Sequence, residues 1–143
     1  MRFSVLLAVA VLLSAILPAR AQDDAVASGD RAAIHDVITQ QMAAFARDDG
    51  SAAFAFASPA IRQQFGSSDD FMRMVRRSYP AVYRPRSVSF GDTRRLDGST
   101  VQEVDVIGPD GSGARALYIM ERESDGTWRI NGVELAPRAE RET

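Results

Sequence analysis

The sequence predicts an α+β domain in which N-terminal helices pack on one face of an antiparallel sheet of about four strands. Two features predict it. Apolar residues recur every three or four positions between Asp30 and Tyr79, the period of helices with one buried stripe, and every second position between Val82 and Leu135, the period of half-buried strands. The helical runs also precede the strands instead of alternating with them, which argues for segregated helices and strands.

In the first helix, Asp30 to Arg47, the stripe is Ile34, Val37, Ile38, Met42 and Phe45. Gly50 is expected to end it in a left-handed conformation, and Asp49 or Ser51 to cap the next helix by accepting a backbone N–H. Asp48 and Asp49 then read as exposed punctuation between helices; a catalytic carboxylate pair is the competing reading. Ser58 and Pro59 restart the chain, with proline suited to a first helical turn and Ile61 and Phe65 as its apolar side. Ser67 to Asp70 resembles a capping box ahead of a helix that buries Phe71, Met74, Val75 and Tyr79, and Pro80 closes the helical half.

Four strands follow, Val82 to Phe90, Thr100 to Ile107, Ala114 to Arg122 and Trp128 to Leu135, with turns at Asp97–Ser99, Gly108–Gly113 and Glu123–Thr127. In the last hairpin a three-residue loop ending at Gly126 pairs Glu123 with Thr127. It sets Met120 opposite Ile130, Leu117 opposite Val133 and Glu121 opposite Arg129, whereas a two-residue Asp-Gly turn would oppose Arg122 to Arg129.

Glu103 and Asp105 share one face of the second strand. In one register with the third strand they stand beside Leu117 and Ile119; one residue away they stand beside Tyr118, Met120, Trp128 and Ile130, where they would line a pocket. The first register is preferred, because it gathers Val104, Val106, Ala116, Tyr118, Met120, Trp128 and Ile130 into one apolar face and buries no unpaired carboxylate there. It leaves Leu117, Ile119, Val133 and Leu135 as a far-face patch, which suggests a homodimer through that face.

The chain opens with Arg2, an apolar run from Val5 to Leu17, Pro18, and small residues at Ala19 and Ala21. This reads as a signal peptide over residues 1–21, cleaved after Ala21, for a secreted, periplasmic protein. The run is shorter than the roughly 20 residues of a spanning helix, so no membrane span is expected after cleavage. Residues 22–29 read as a flexible leader, 30–136 as one α+β domain and 137–143 as a loose tail.

All 17 basic residues are arginine, against 19 acids, and two of those arginines, Arg2 and Arg20, lie in the signal peptide, so the mature chain is acidic and no nucleic-acid partner is expected. The chain has no cysteine for disulfides or thiol chemistry, no lysine for Schiff bases, and one histidine, too few for a multi-histidine metal site. No glycine-rich phosphate loop or nucleophilic serine motif occurs, so neither a metal nor a cofactor is expected.

The segments QMAAFARDD from Gln41, AFAFASPAI from Ala53, DFMRMV from Asp70, YPAVYRPRSVSFG from Tyr79 and DGTWRING from Asp125 resemble a family of small exported bacterial proteins known as a domain of unknown function. The resemblance covers most of residues 31 to 135. It implies the nuclear transport factor 2-like superfamily, a cystatin-like cone in which helices pack into a strongly curved sheet with a pocket at its mouth. It carries no catalytic residues over to this chain, and that fold hosts enzymes, binding modules and transport adaptors.

The strongest charge asymmetry runs from Phe71 to Arg95, where Arg73, Arg76, Arg77, Arg84, Arg86, Arg94 and Arg95 face the single acid Asp92. Arg73, Arg76 and Arg77 can share a helix face, and Arg84 and Arg86 point the same way if they lie in the first strand. Together these five would hold a small anionic ligand or an acidic protein; the plainer reading is a solvated helix face. An alternative pocket would use His35, Tyr118 and Trp128. His35 sits at the edge of the first helix's stripe and needs a carboxylate or hydroxyl partner to act as a base. The sequence therefore favours a non-catalytic domain that binds a small ligand or a protein, with a small isomerase or lyase using a cone-mouth acid/base site as the alternative.

Overall fold

A computed structural model describes residues 26–137. The expected signal peptide with its cleavage point, the start of the leader and nearly all of the tail lie outside the described residues. Helix α1 (Ser28–Ala46) begins inside the segment read as leader. Ile34, Ile38, Met42 and Phe45 of its stripe are buried, and so are Gln41 and Ala44.

The break after α1 is built differently from the expectation. Asp48, not Gly50, takes the left-handed conformation, with φ 56°, which an aspartate tolerates better than most side chains. Gly50 instead opens α2 (Gly50–Ala55), capped by Asp49, whose Oδ1 accepts from the Ala52 N–H at 3.1 Å. The glycine suits the packing: a Cβ there would lie 3.0 Å from Met72 Cγ, a tight contact.

Ser58 caps α3 (Pro59–Phe65), which ends at left-handed Gly66, and Ser67 caps α4 (Ser68–Ser78) by accepting from the Asp70 N–H at 3.2 Å. Pro80 does not close the helical half. It starts a further short helix, α5 (Pro80–Tyr83), at the one turn where a missing N–H costs nothing. Val82 and Tyr83 are therefore helical and buried, and the first strand does not begin at Val82.

Strands β1 (Ser87–Leu96), β2 (Ser99–Ile107), β3 (Gly113–Arg122) and β4 (Trp128–Pro137) form one open antiparallel sheet in the order β1-β2-β3-β4. β1 continues past Phe90 because a bulge absorbs Gly91 and Asp92, the partner of Phe90 being Val104 and that of Thr93 being Gln102. Gly91 suits the bulge, since a Cβ on it would meet Glu103 Cβ at 3.2 Å. The β1–β2 turn is Asp97-Gly98, both with positive φ, which matches the right-handed twist of the flanking strands.

β2 and β3 adopt the preferred register, with Glu103 opposite Leu117 and Val104 opposite Ala116. All seven residues of the expected apolar face are buried. In the β3–β4 hairpin the Glu123 N–H donates to Thr127 O at 2.8 Å, Met120 faces Ile130 and Glu121 faces Arg129, as the three-residue loop requires. Beyond Ile130 the register shifts by one residue, so Tyr118, not Leu117, faces Val133. Val133 and Leu135 thereby join the face of Tyr118 and Ala116. The far-face patch of Leu117, Ile119, Val133 and Leu135 does not exist as a unit.

The bulge has a second consequence. The Ser58 N–H donates to Ile130 O at 2.8 Å, the Ile130 N–H donates to Phe56 O at 2.9 Å, and Ser58 Oγ donates to Asn131 Oδ1 at 2.7 Å. The segment between α2 and α3 thus covers part of the outer edge of β4. The helices pack on the inner face around Phe71, whose ring lies 5.3 Å from Phe54, 5.7 Å from Phe65 and 6.1 Å from Phe45.

Candidate functional site

Helices α1, α3, α4 and α5 meet β4 around a half-open cavity of about 410 Å³, within the usual size range for small-molecule sites. Each element contributes the side chains that its own periodicity turns inward. From α1 come Gln41 and Phe45, from α3 Ile61, Gln64 and Phe65, and from α4 Phe71, Met74, Val75 and Ser78. Tyr79 and Val82 close one end, and Ile130, Gly132 and Val133 form the sheet wall. The β4 bulge is what places Val133 there. Among the described residues, Tyr79 is the one titratable side chain in this lining, and its hydroxyl donates to Val133 O at 3.1 Å.

A second, polar hollow of about 540 Å³ lies beside the start of α1 and is bordered by Asp30, Arg95, Glu121, Arg122 and Trp128. Its charges are already engaged with each other at one point: Asp30 Oδ1 accepts from Trp128 Nε1 at 3.4 Å and lies 3.7 Å from Arg122. These contacts tie α1 to the last hairpin.

His35, Tyr118 and Trp128 are not brought together. Trp128 borders the polar hollow, and neither His35 nor Tyr118 lines either cavity. His35 is half-buried, stacked on Phe90 with ring centroids 4.1 Å apart, and its Nε2 lies 3.0 Å from Gln102 Oε1. The Gln102 amide donates to Gly91 O and Glu103 O, at 3.1 and 2.8 Å, so its Oε1 must accept and His35 Nε2 must carry the proton. The partner is therefore an amide that also accepts from Thr93, a holding contact between α1 and the sheet. Tyr118 is fully buried with its hydroxyl unpaired, and burial raises its pKa far above the ordinary phenol value.

Of the five arginines, Arg76 and Arg84 both bear on the Asp48 carboxylate, and Arg84 is engaged by the protein itself. Arg73 pairs with Asp70 of its own helix at 2.9 Å, and Arg76 and Arg77 are exposed. Arg84 and Arg86 lie before β1, not within it, so strand alternation does not align them. Arg84 is occupied: it stacks 4.3 Å from the Tyr83 ring centroid, donates to Phe45 O and pairs with Asp48 at 2.9 Å. The Tyr83 hydroxyl also donates to Asp48, and that bond, then Arg84, holds the Asp48 carboxyl below the ordinary carboxylate range.

On the outer face, Arg94 and Arg115 neutralise Glu103 and Asp105, with Arg94 2.8 Å from Glu103 and Arg115 2.9 Å from Asp105. Among the described residues no cluster of three His, Asp or Glu could hold a metal, and no helix is long and apolar enough to cross a membrane.

Sequence reasoning missed the apolar cavity as a site. Its one available signal was the inward set Phe65, Phe71, Met74 and Tyr79, which reads equally well as core. A family model described as Domain of unknown function (DUF4864) matches residues 27–143. No curated protein and no solved structure matches the chain.

Proposed function

The chain belongs to that family, whose description assigns no activity, and we propose from the cavity that it binds a small, largely apolar ligand without converting it. The observation that carries this reading is the lining: a wall of Phe, Ile, Val and Met side chains with two glutamines, one serine and one tyrosine. Such a wall gains by displacing water from apolar surface. Among the described residues it offers no carboxylate or imidazole for acid–base work, which supports binding over the isomerase or lyase reading. The signal peptide read in the sequence supports a periplasmic setting, and a cavity between helices and sheet is what the cone of the nuclear transport factor 2-like superfamily would provide.

Titration with a neutral apolar fluorophore, N-phenylnaphthylamine, tests the proposal. Saturable binding at one site is expected, weakened about tenfold or more, equivalent to ~1.4 kcal/mol, when Met74→Trp fills the cavity. Absence of saturable binding, or binding that Met74→Trp leaves unchanged, would sink the proposal.

A further inference from the structure

The cavity wall carries an acceptor with no partner among the described residues. Gln41 is 3% exposed, and its amide orientation is fixed, because Nε2 donates to Ala53 O at 3.1 Å and a carbonyl can only accept. Gln41 Oε1 is left without a hydrogen-bond partner among the described residues. Unlike the Tyr118 hydroxyl, it is not sealed from contact, and Gln41 lines the cavity. An acceptor in that position is costly to bury against an apolar ligand and is repaid by one that brings an O–H or N–H.

Resting on the reading that this cavity binds a small apolar ligand, we propose that the ligand is an uncharged amphiphile whose head donates a hydrogen bond to Gln41 Oε1. An alcohol or a primary amide has the required chemistry, with its apolar body against Phe45, Phe71, Val75 and Ile130. A carboxylate does not. It would set acceptor against acceptor and carry a charge into a wall without a cation, since Arg73, Arg76 and Arg77 are exposed on α4 and outside the lining. An ether or ester of the same length fills the same space but has nothing to donate.

The test is displacement of N-phenylnaphthylamine from the purified protein by decanol, decyl methyl ether and decanoate, at about pH 8, where the acid is ionised. Decanol is expected to displace the probe about tenfold better than the ether or decanoate, the worth of one well-made buried hydrogen bond. In Gln41→Met, with the probe's affinity for the variant measured separately, the decanol advantage over the ether should vanish. Decanoate matching or exceeding decanol would overturn the proposal while leaving the cavity as a binding site, and so would a decanol advantage that survives in Gln41→Met. If the probe itself fails to bind, the reading of the cavity falls first and this inference with it. Should Gln41→Met not fold, the ranking of the three ligands on the unmodified chain decides alone.

Discussion

The two faces of the sheet solve the same problem in opposite ways. β2 alternates Val104 and Val106 toward the helices with Glu103 and Asp105 away from them. On the outer face each acid has an arginine within 2.9 Å, so the charges neutralise one another locally. On the inner face the apolar side chains are packed, but two polar atoms lack partners among the described residues, the Tyr118 hydroxyl and Gln41 Oε1. A further buried atom without a partner, Glu123 Oε1, lies in the β3–β4 loop and outside the cavity lining. Of the two on the inner face, the Tyr118 hydroxyl is sealed in the core, and Gln41 Oε1 belongs to the cavity wall, where a ligand can meet it.

The comparison is broken most severely if stability does not follow it. Phe71→Ala removes the ring around which Phe45, Phe54 and Phe65 gather and should cost ~3–5 kcal/mol. Arg94→Ala removes a half-exposed partner of Glu103 and should cost at most about 1 kcal/mol. Urea unfolding measures both. Similar losses for the two variants would mean that the outer ladder is as structural as the core.

What the sequence made legible follows from which forces are local. The cap at Ser67, the cap at Asp49 as one of two candidates, and the restart at Ser58 and Pro59 depend on residues near one another and were readable. The β2–β3 register was readable because a slip of one residue would bury Glu103 among apolar side chains. The departures arise where packing between distant segments decides. Gly50 serves Met72, Gly91 serves Glu103, and the β4 bulge serves Ser58, and none of these partners is near in sequence. The bulge alone moved Val133 and Leu135 across the sheet, removing the expected dimer patch and building a cavity wall. The arginine run was hard to read for a related reason: a count along the chain cannot show that Arg84 is engaged by Asp48 and Phe45 O or that it precedes the first strand.

A middle-sized effect sharpens the account of the inner face. Tyr118→Phe deletes a buried hydroxyl that has no partner and keeps the ring, so it should raise stability by about 1 kcal/mol, the lower end of the penalty for an unsatisfied buried group. Calorimetry would detect the rise in Tm. A clear loss of stability would show that the hydroxyl is hydrogen-bonded in solution and that Gln41 Oε1 is the single unmet atom on that face.

The smallest expected effect asks whether an ion pair at the helix margin behaves like the outer ladder. Asp48 is exposed, left-handed, and held ionised by Tyr83 and Arg84, so its folded pKa lies below the ordinary aspartate value of 3.8. A carboxylate with a depressed folded pKa contributes stability at pH values above its unfolded pKa, and that contribution is lost as the pH falls through the folded value. Asp48→Asn removes the charge while keeping a residue that tolerates positive φ. The unmodified chain should therefore be slightly more stable than the variant at neutral pH, with the gap narrowing below 3.8 and shrinking with added salt. Urea unfolding of both chains across that pH range is the measurement. A gap that persists undiminished into strong acid would show that Asp48 acts through its shape and the Tyr83 hydroxyl alone, with no electrostatic contribution from Arg84.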